Sequence, residues 1–107
     1  MPAKTLKELV TQLQQAEIVP RPDNEEWKAM IQRISVPATI AAIDEETFWY
    51  FLEVLPPKFQ RGNLFAFAEG AEEFRLFWRT GERHFCRQLT YDETQEFCRL
   101  ARISIPW

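Results

Sequence analysis

Residues that most often carry chemistry or tight turns are scarce in this chain. Its 107 residues include one histidine, two cysteines, two methionines and three glycines. Three glycines supply neither a Gly-rich phosphate cradle nor the sharp elbow of a serine hydrolase. Two cysteines, Cys86 and Cys98, make no disulfide framework in a chain able to build its own core. No apolar run approaches the ~20 residues that span a bilayer. The opening Met1-Pro2-Ala3-Lys4-Thr5-Leu6-Lys7 lacks the apolar stretch of a signal peptide. These absences predict a cytoplasmic protein with reduced thiols, no membrane contact and no cofactor.

An excess of either charge is small too. Thirteen basic against sixteen acidic residues leave a net of -3, which opposes nonspecific attraction to nucleic acid or anionic membranes. The acid is concentrated early. Residues 1–57 carry five Lys/Arg against nine Asp/Glu, a net of -4, whereas residues 58–107 carry eight against seven, a net of +1. What is abundant is aromatic: nine Phe, four Trp and two Tyr, 14% of the chain. With ordinary hydrophobic and charged fractions of 46% and 27%, that excess suggests a dense core with apolar surface left over for a partner.

Prolines and caps punctuate the first half. Thr5 and Glu8 read as a capping box, with Leu6, Leu9, Val10 and Leu13 at helical spacing, predicting a helix over about 5–16. Pro20-Arg21-Pro22 breaks the chain. Asp23 and Glu26 then cap a second helix over about 24–35, carrying Trp27, Met30, Ile31 and Ile34 inward. Asp44, Glu45 and Glu46 open a third helix over about 45–55, which Pro56-Pro57 stops.

The period then changes from helical to alternating. Strands are expected over Leu64–Ala68, Glu73–Arg79 and Arg83–Leu89, the last two joined by Gly81-Glu82 as a type II′ turn. Thr90 and Glu93 form another capping box, starting a last helix over about 91–101. The expected fold is a single α+β domain over 1–107, in the order ααα-βββ-α. A three-stranded antiparallel meander would pack helices against one face.

Three stretches carry a family likeness: Phe51-Leu52-Glu53-Val54-Leu55-Pro56-Pro57, Phe65-Ala66-Phe67-Ala68-Glu69-Gly70, and Phe77-Trp78-Arg79 followed by Phe85-Cys86-Arg87. Over about residues 43–100 the chain resembles a family of small bacterial proteins of unknown function, often plasmid-borne. The resemblance implies a bacterial cytoplasmic protein and carries no catalytic signature or active site.

Four groups of residues are candidates for function. His84 and Cys86 share one strand face, and Cys98 on the last helix could approach it, as zinc or a thiol site would need. Against this stand the lack of a Cys-x-x-Cys pair, a second histidine and a fourth ligand. The same pair lacks the geometry of a cysteine nucleophile and its base. The acidic pairs Glu25-Glu26, Glu45-Glu46 and Glu72-Glu73 diverge on any regular element, so they do not make a carboxylate site.

The hairpin register pairs Arg79 with His84, Phe77 with Cys86 and Arg75 with Gln88. If that face meets solvent, Arg75, Phe77, Arg79 and His84 form an Arg/aromatic surface for single-stranded nucleic acid or another anion. The negative net charge weighs against it. The strongest feature is the third helix, Phe48-Trp49-Tyr50-Phe51-Leu52-Glu53-Val54-Leu55. Phe48, Phe51, Leu52 and Leu55 form its inward stripe; Trp49, Tyr50 and Val54 lie outside, so the apolar arc is far wider than one packing face requires. Trp and Tyr are the residues enriched in binding hot spots. The expectation is therefore a binding protein without catalysis, contacting a second copy or another bacterial protein through Trp49, Tyr50 and Val54. Ile103, Ile105 and Trp107 in the tail are expected to dock, along a sheet edge of this chain or of a neighbour.

Overall fold

Six strands, rather than three, make up the sheet. The computed structural model describes residues 3–68 and 73–104. In chain order the elements are α1 (Leu6–Leu13), β1 (Ile18–Val19), α2 (Trp27–Ile34), β2 (Ile40–Ile43), α3 (Glu45–Val54), β3 (Phe59–Arg61), β4 (Leu64–Ala68), β5 (Phe74–Thr80), β6 (Arg83–Gln88) and α4 (Tyr91–Ala101). The strand order is β1-β2-β6-β5-β4-β3. β1 runs parallel to β2 with α2 between them, and the other neighbours are antiparallel. The α+β class holds; the three-stranded meander is replaced by a mixed sheet.

The three extra strands have physical reasons to be inconspicuous. β1 is only two residues long and ends at Pro20, which has no N–H for a ladder. β2 reads Ile-Ala-Ala-Ile without alternation, because both of its sides are covered. β3 joins β4 through Gly62-Asn63, a two-residue loop in which Gly62 has φ +58°. The hairpin at Gly81-Glu82 has the geometry a type II′ turn needs, with Gly81 at φ +62° and Glu82 not in the positive region.

Helices cover both faces, so there are two cores rather than one. On the first face Leu6, Leu9 and Leu13 of α1 and Phe97 and Cys98 of α4 pack on Ile40, Ala66, Phe74, Leu76, Trp78 and Phe85. On the second, Met30 and Ile34 of α2 and Phe48 and Phe51 of α3 pack on Ala41, Ile43, Phe67, Phe77 and Cys86. Each fully buried large side chain among them contributes roughly 1.5–3 kcal/mol.

The caps differ in detail from expectation. Thr90 Oγ1 accepts the Glu93 amide and the Glu93 carboxylate accepts the Thr90 amide, a complete box. Thr5 caps α1 by accepting from the Glu8 amide, but the Glu8 side chain accepts from Lys4 instead. The expected Asp23 cap does not form: Glu26 is the N-cap of α2, without a side-chain cap hydrogen bond, and the helix starts at Trp27, after Asn24 has taken up φ +58°, outside the helical region.

Candidate functional site

α3 is held at its N-terminus by Asp44, whose carboxylate accepts the Thr47 amide at 2.7 Å and pairs with Arg21 at 2.6 Å. Burial pushes the Asp44 carboxyl up, but the Thr47 hydrogen bonds and the Arg21 charge outweigh it and hold it below its ordinary value. Glu45 and Glu46 occupy the first turn, and Pro56-Pro57 follow the helix. Phe48 and Phe51 are buried against the sheet, with Leu52 and Leu55 partly covered beside them. The outer residues stay open: Trp49 is 43% exposed, Tyr50 46% and Val54 50%.

α2 enlarges this surface. Trp27, assigned inward from its spacing to Met30 and Ile31, is 51% exposed. It stands edge-on to Tyr50 with ring centroids 5.3 Å apart and stacks on Phe51 at 5.8 Å. Placement at the first residue of α2 explains this, since a shorter helix leaves its leading side chain beyond the inward stripe. The readable signal was Asn24, a residue that tolerates the left-handed backbone just ahead of the helix. Trp49 points to the other flank of α3, where the Arg79 guanidinium lies 5.8 Å from its ring centroid.

The β5–β6 register is the expected one: Arg79 faces His84, Phe77 faces Cys86 and Arg75 faces Gln88. Its presentation is not. α2 and α3 cover this face, leaving Phe77 fully buried, Arg75 1% exposed and His84 4% exposed. Arg75 instead donates to the Ile34 carbonyl at 3.4 Å and to Ser35 Oγ at 2.7 Å, at the C-terminal end of α2. The His84 ring packs 4.8 Å from that of Phe48. Arg79 alone reaches the surface, beside a pocket of about 410 Å³ that Glu45 and Glu82 also line. Two carboxylates there oppose an anion, and with Arg75, Phe77 and His84 buried the four residues are not presented to solvent as one face.

Cys86 and Cys98 lie in the two different cores, on opposite sides of the sheet. They do not converge with His84, and among the described residues no group of three or more His, Cys, Asp or Glu is placed to hold a metal. Burial pushes the Cys98 thiol up, away from the thiolate that ligation or nucleophilic attack requires. Of the acidic pairs, Glu25 is bound to Arg33 through both carboxylate oxygens and Glu45-Glu46 belong to the α3 first turn. Glu72, Ile105, Pro106 and Trp107 lie outside the described residues, and with them the third acidic pair and the docking of the tail.

Fold and site together define a layered α+β domain with helices on both sides of a mixed sheet and one open aromatic helix face. No family model matches the chain, and no curated protein or solved structure matches it. The likeness over residues 43–100 therefore transfers no residue role. Among the described residues no helix is long and apolar enough to cross a membrane.

Proposed function

We propose that this protein acts by binding another protein, without catalysis, through the outer face of α3, with Trp49, Tyr50 and Val54 as contacts and Trp27 extending them. One observation carries the reading: Trp27 and Tyr50 stand half-exposed in ring contact across α2 and α3, with Trp49 and Val54 half-exposed elsewhere on the outer side of α3, while the inner faces of both helices are already filled. Single exposed apolar residues are ordinary, whereas a contiguous aromatic group is characteristic of an interface. Rings of this kind bring large contact area at small entropic cost, because each has only two side-chain torsions to fix.

Light scattering over a range of concentrations, with wild type and a Trp49→Glu/Tyr50→Glu variant, tests the face directly. A self-associating face gives a concentration-dependent mass that the variant lacks. A face for another protein gives a monomer whose immobilised wild type, but not the variant, retains a partner from a bacterial lysate. Wild type and variant that behave identically in both measurements would remove the reading.

A further inference from the structure

We infer that the partner of this face is a basic amphipathic segment of another protein, carrying Lys or Arg beside apolar side chains, rather than a second copy of the chain. The inference rests on the binding role proposed above and adds the chemistry of its occupant. Its first support is charge. α3 and its cap carry Asp44, Glu45, Glu46 and Glu53 and no basic residue. Asp44 is taken up by Arg21, but Glu46 and Glu53 belong to no ion pair among the described residues, and both are exposed around Trp49, Tyr50 and Val54. The cations that α2 brings are Lys28 and an Arg33 already bound to Glu25. Each three or four residues from both Trp49 and Tyr50, the Glu46 and Glu53 carboxylates lie between the two rings and give each an acidic rim, while Arg79 adds a cation on the Trp49 flank.

The second support is the end of the helix. α3 has no basic residue in its last turn to meet the partial negative charge of its terminal carbonyls. Pro56 and Pro57, which follow, have no N–H to offer them. A cation from a partner is favoured beside Val54 for the same reason that Lys and Arg are favoured at helix C-termini. The third support is the rings themselves. An aromatic face attracts a cation, and Arg79 of this chain already sits over Trp49. Trp27 and Tyr50 present the same chemistry to the outside, half-exposed, on the other flank.

These features also select against the alternatives. In a two-fold contact through this face α3 would meet its own copy, bringing Glu46 and Glu53 towards the same acids of the other molecule. Nucleic acid and an anionic membrane would meet that rim with like charge. A Lys/Arg-bearing amphipathic segment satisfies the rim, the rings and the apolar centre together.

The test uses a labelled synthetic amphipathic helical peptide whose polar border is Lys and Arg, and a counterpart with Gln in their place, titrated against the full chain by fluorescence anisotropy. The basic peptide is expected to bind about tenfold tighter than the Gln peptide, and to lose that margin as salt is raised. Glu46→Gln/Glu53→Gln should erase most of the difference, and Glu46→Lys/Glu53→Lys should shift preference to an acidic peptide of the same apolar face. Far-UV circular dichroism confirms that these exposed substitutions leave the fold intact. Equal binding of the basic and Gln peptides, both abolished by Trp49→Glu/Tyr50→Glu, would overturn the charge inference and leave the interaction face standing. A wild-type dimer lost in that variant would do the same. No binding of the basic peptide, or binding that the double variant does not change, overturns the inference; in the second case the face itself is also lost.

Discussion

On one side of the sheet α1 and α4 close over Leu76, Phe74, Phe85 and Trp78, and the layer ends in capped helices. On the other side α2 and α3 close over Phe67, Phe77 and Cys86, yet Trp27, Trp49 and Tyr50 remain half outside. Each side also buries an arginine from the sheet at a helix C-terminus. Arg87 donates to the Leu13 carbonyl of α1 at 2.9 Å and pairs with Glu93, while Arg75 holds the end of α2 through Ile34 and Ser35. A guanidinium there satisfies carbonyls that lack a partner within the helix and meets the negative end of its dipole. The two sides therefore share a method of anchoring their helices and differ in how much they leave uncovered: Tyr91 at the start of α4 on the first, against Trp27, Trp49, Tyr50 and Val54 on the second. That difference is the ground on which the proposed contact is placed on the α2/α3 side.

The largest effects should show that both sides are cores of equal standing. Phe97→Ala and Phe77→Ala each remove a fully buried ring, one from each side, and each is expected to cost about 3–5 kcal/mol. Urea denaturation measures both. A cost below about 1 kcal/mol for Phe77→Ala would demote α2 and α3 to a loose cover. Next come the arginines. Arg87→Met leaves Glu93 Oε2 and the Leu13 carbonyl without their guanidinium donor and should cost about 2–3 kcal/mol; Arg75→Met should cost about 1–3 kcal/mol. A loss under about 0.5 kcal/mol for either would mean that its helix end is held by something else.

These same arginines explain what was legible in the sequence. Phe74, Leu76 and Trp78 alternate with Arg75, Phe77 and Arg79, and that pattern places β5, its hairpin and the first core correctly. It also misleads, because Arg75 and His84 look like the solvent side of an amphipathic strand. Burial of an arginine is stable only where acceptors wait; Glu73, 3.9 Å away, is a local partner of Arg75, but its hydrogen-bond acceptors Ile34 and Ser35 come from the end of α2, 41 and 40 residues away in the chain. No local pattern announces them. The helix starts at Thr5, Asp44 and Thr90 were legible because capping is local chemistry. So was the outward placement of Trp49, Tyr50 and Val54, from the width of one helix's apolar arc. Trp27 was not, because its exposure depends on where α2 begins. β1, β2 and β3 are too short, too symmetrically buried or too near an edge for periodicity to mark them, although Gly62-Asn63 advertised the β3–β4 turn.

The caps offer a smaller contrast between the sides. Thr90→Ala on the α4 side and Asp44→Ala on the α3 side should each cost about 1 kcal/mol. Only the second should depend on acid. The Asp44 carboxyl is held below its ordinary value near 3.8, so its charged form is favoured by folding. Its contribution is complete above that ordinary value and is lost as pH falls through the lower folded-state value. Melting temperatures of wild type and Asp44→Asn, followed from about pH 7 downward, should therefore converge only in strong acid. Convergence near neutrality would mean that Arg21 and Thr47 do not favour the carboxylate in solution.

The smallest expected change in stability is the one that bears most on function. Phe51 and Tyr50 are adjacent on α3, yet Phe51 is 4% exposed and Tyr50 46%. Phe51→Ala should cost about 3–5 kcal/mol, as for any buried ring. Tyr50→Ser removes edge-on contacts with Trp27 and Phe51 that are half in water, so its cost should stay within about 1 kcal/mol. A folded chain that tolerates this loss has little need of Tyr50 for its own stability, and the ring is then free to be selected for contact. If Tyr50→Ser instead costs as much as Phe51→Ala, the ring belongs to the α2/α3 core. The two sides of the sheet would then be alike, and the reason for assigning the interface to α3 would be gone.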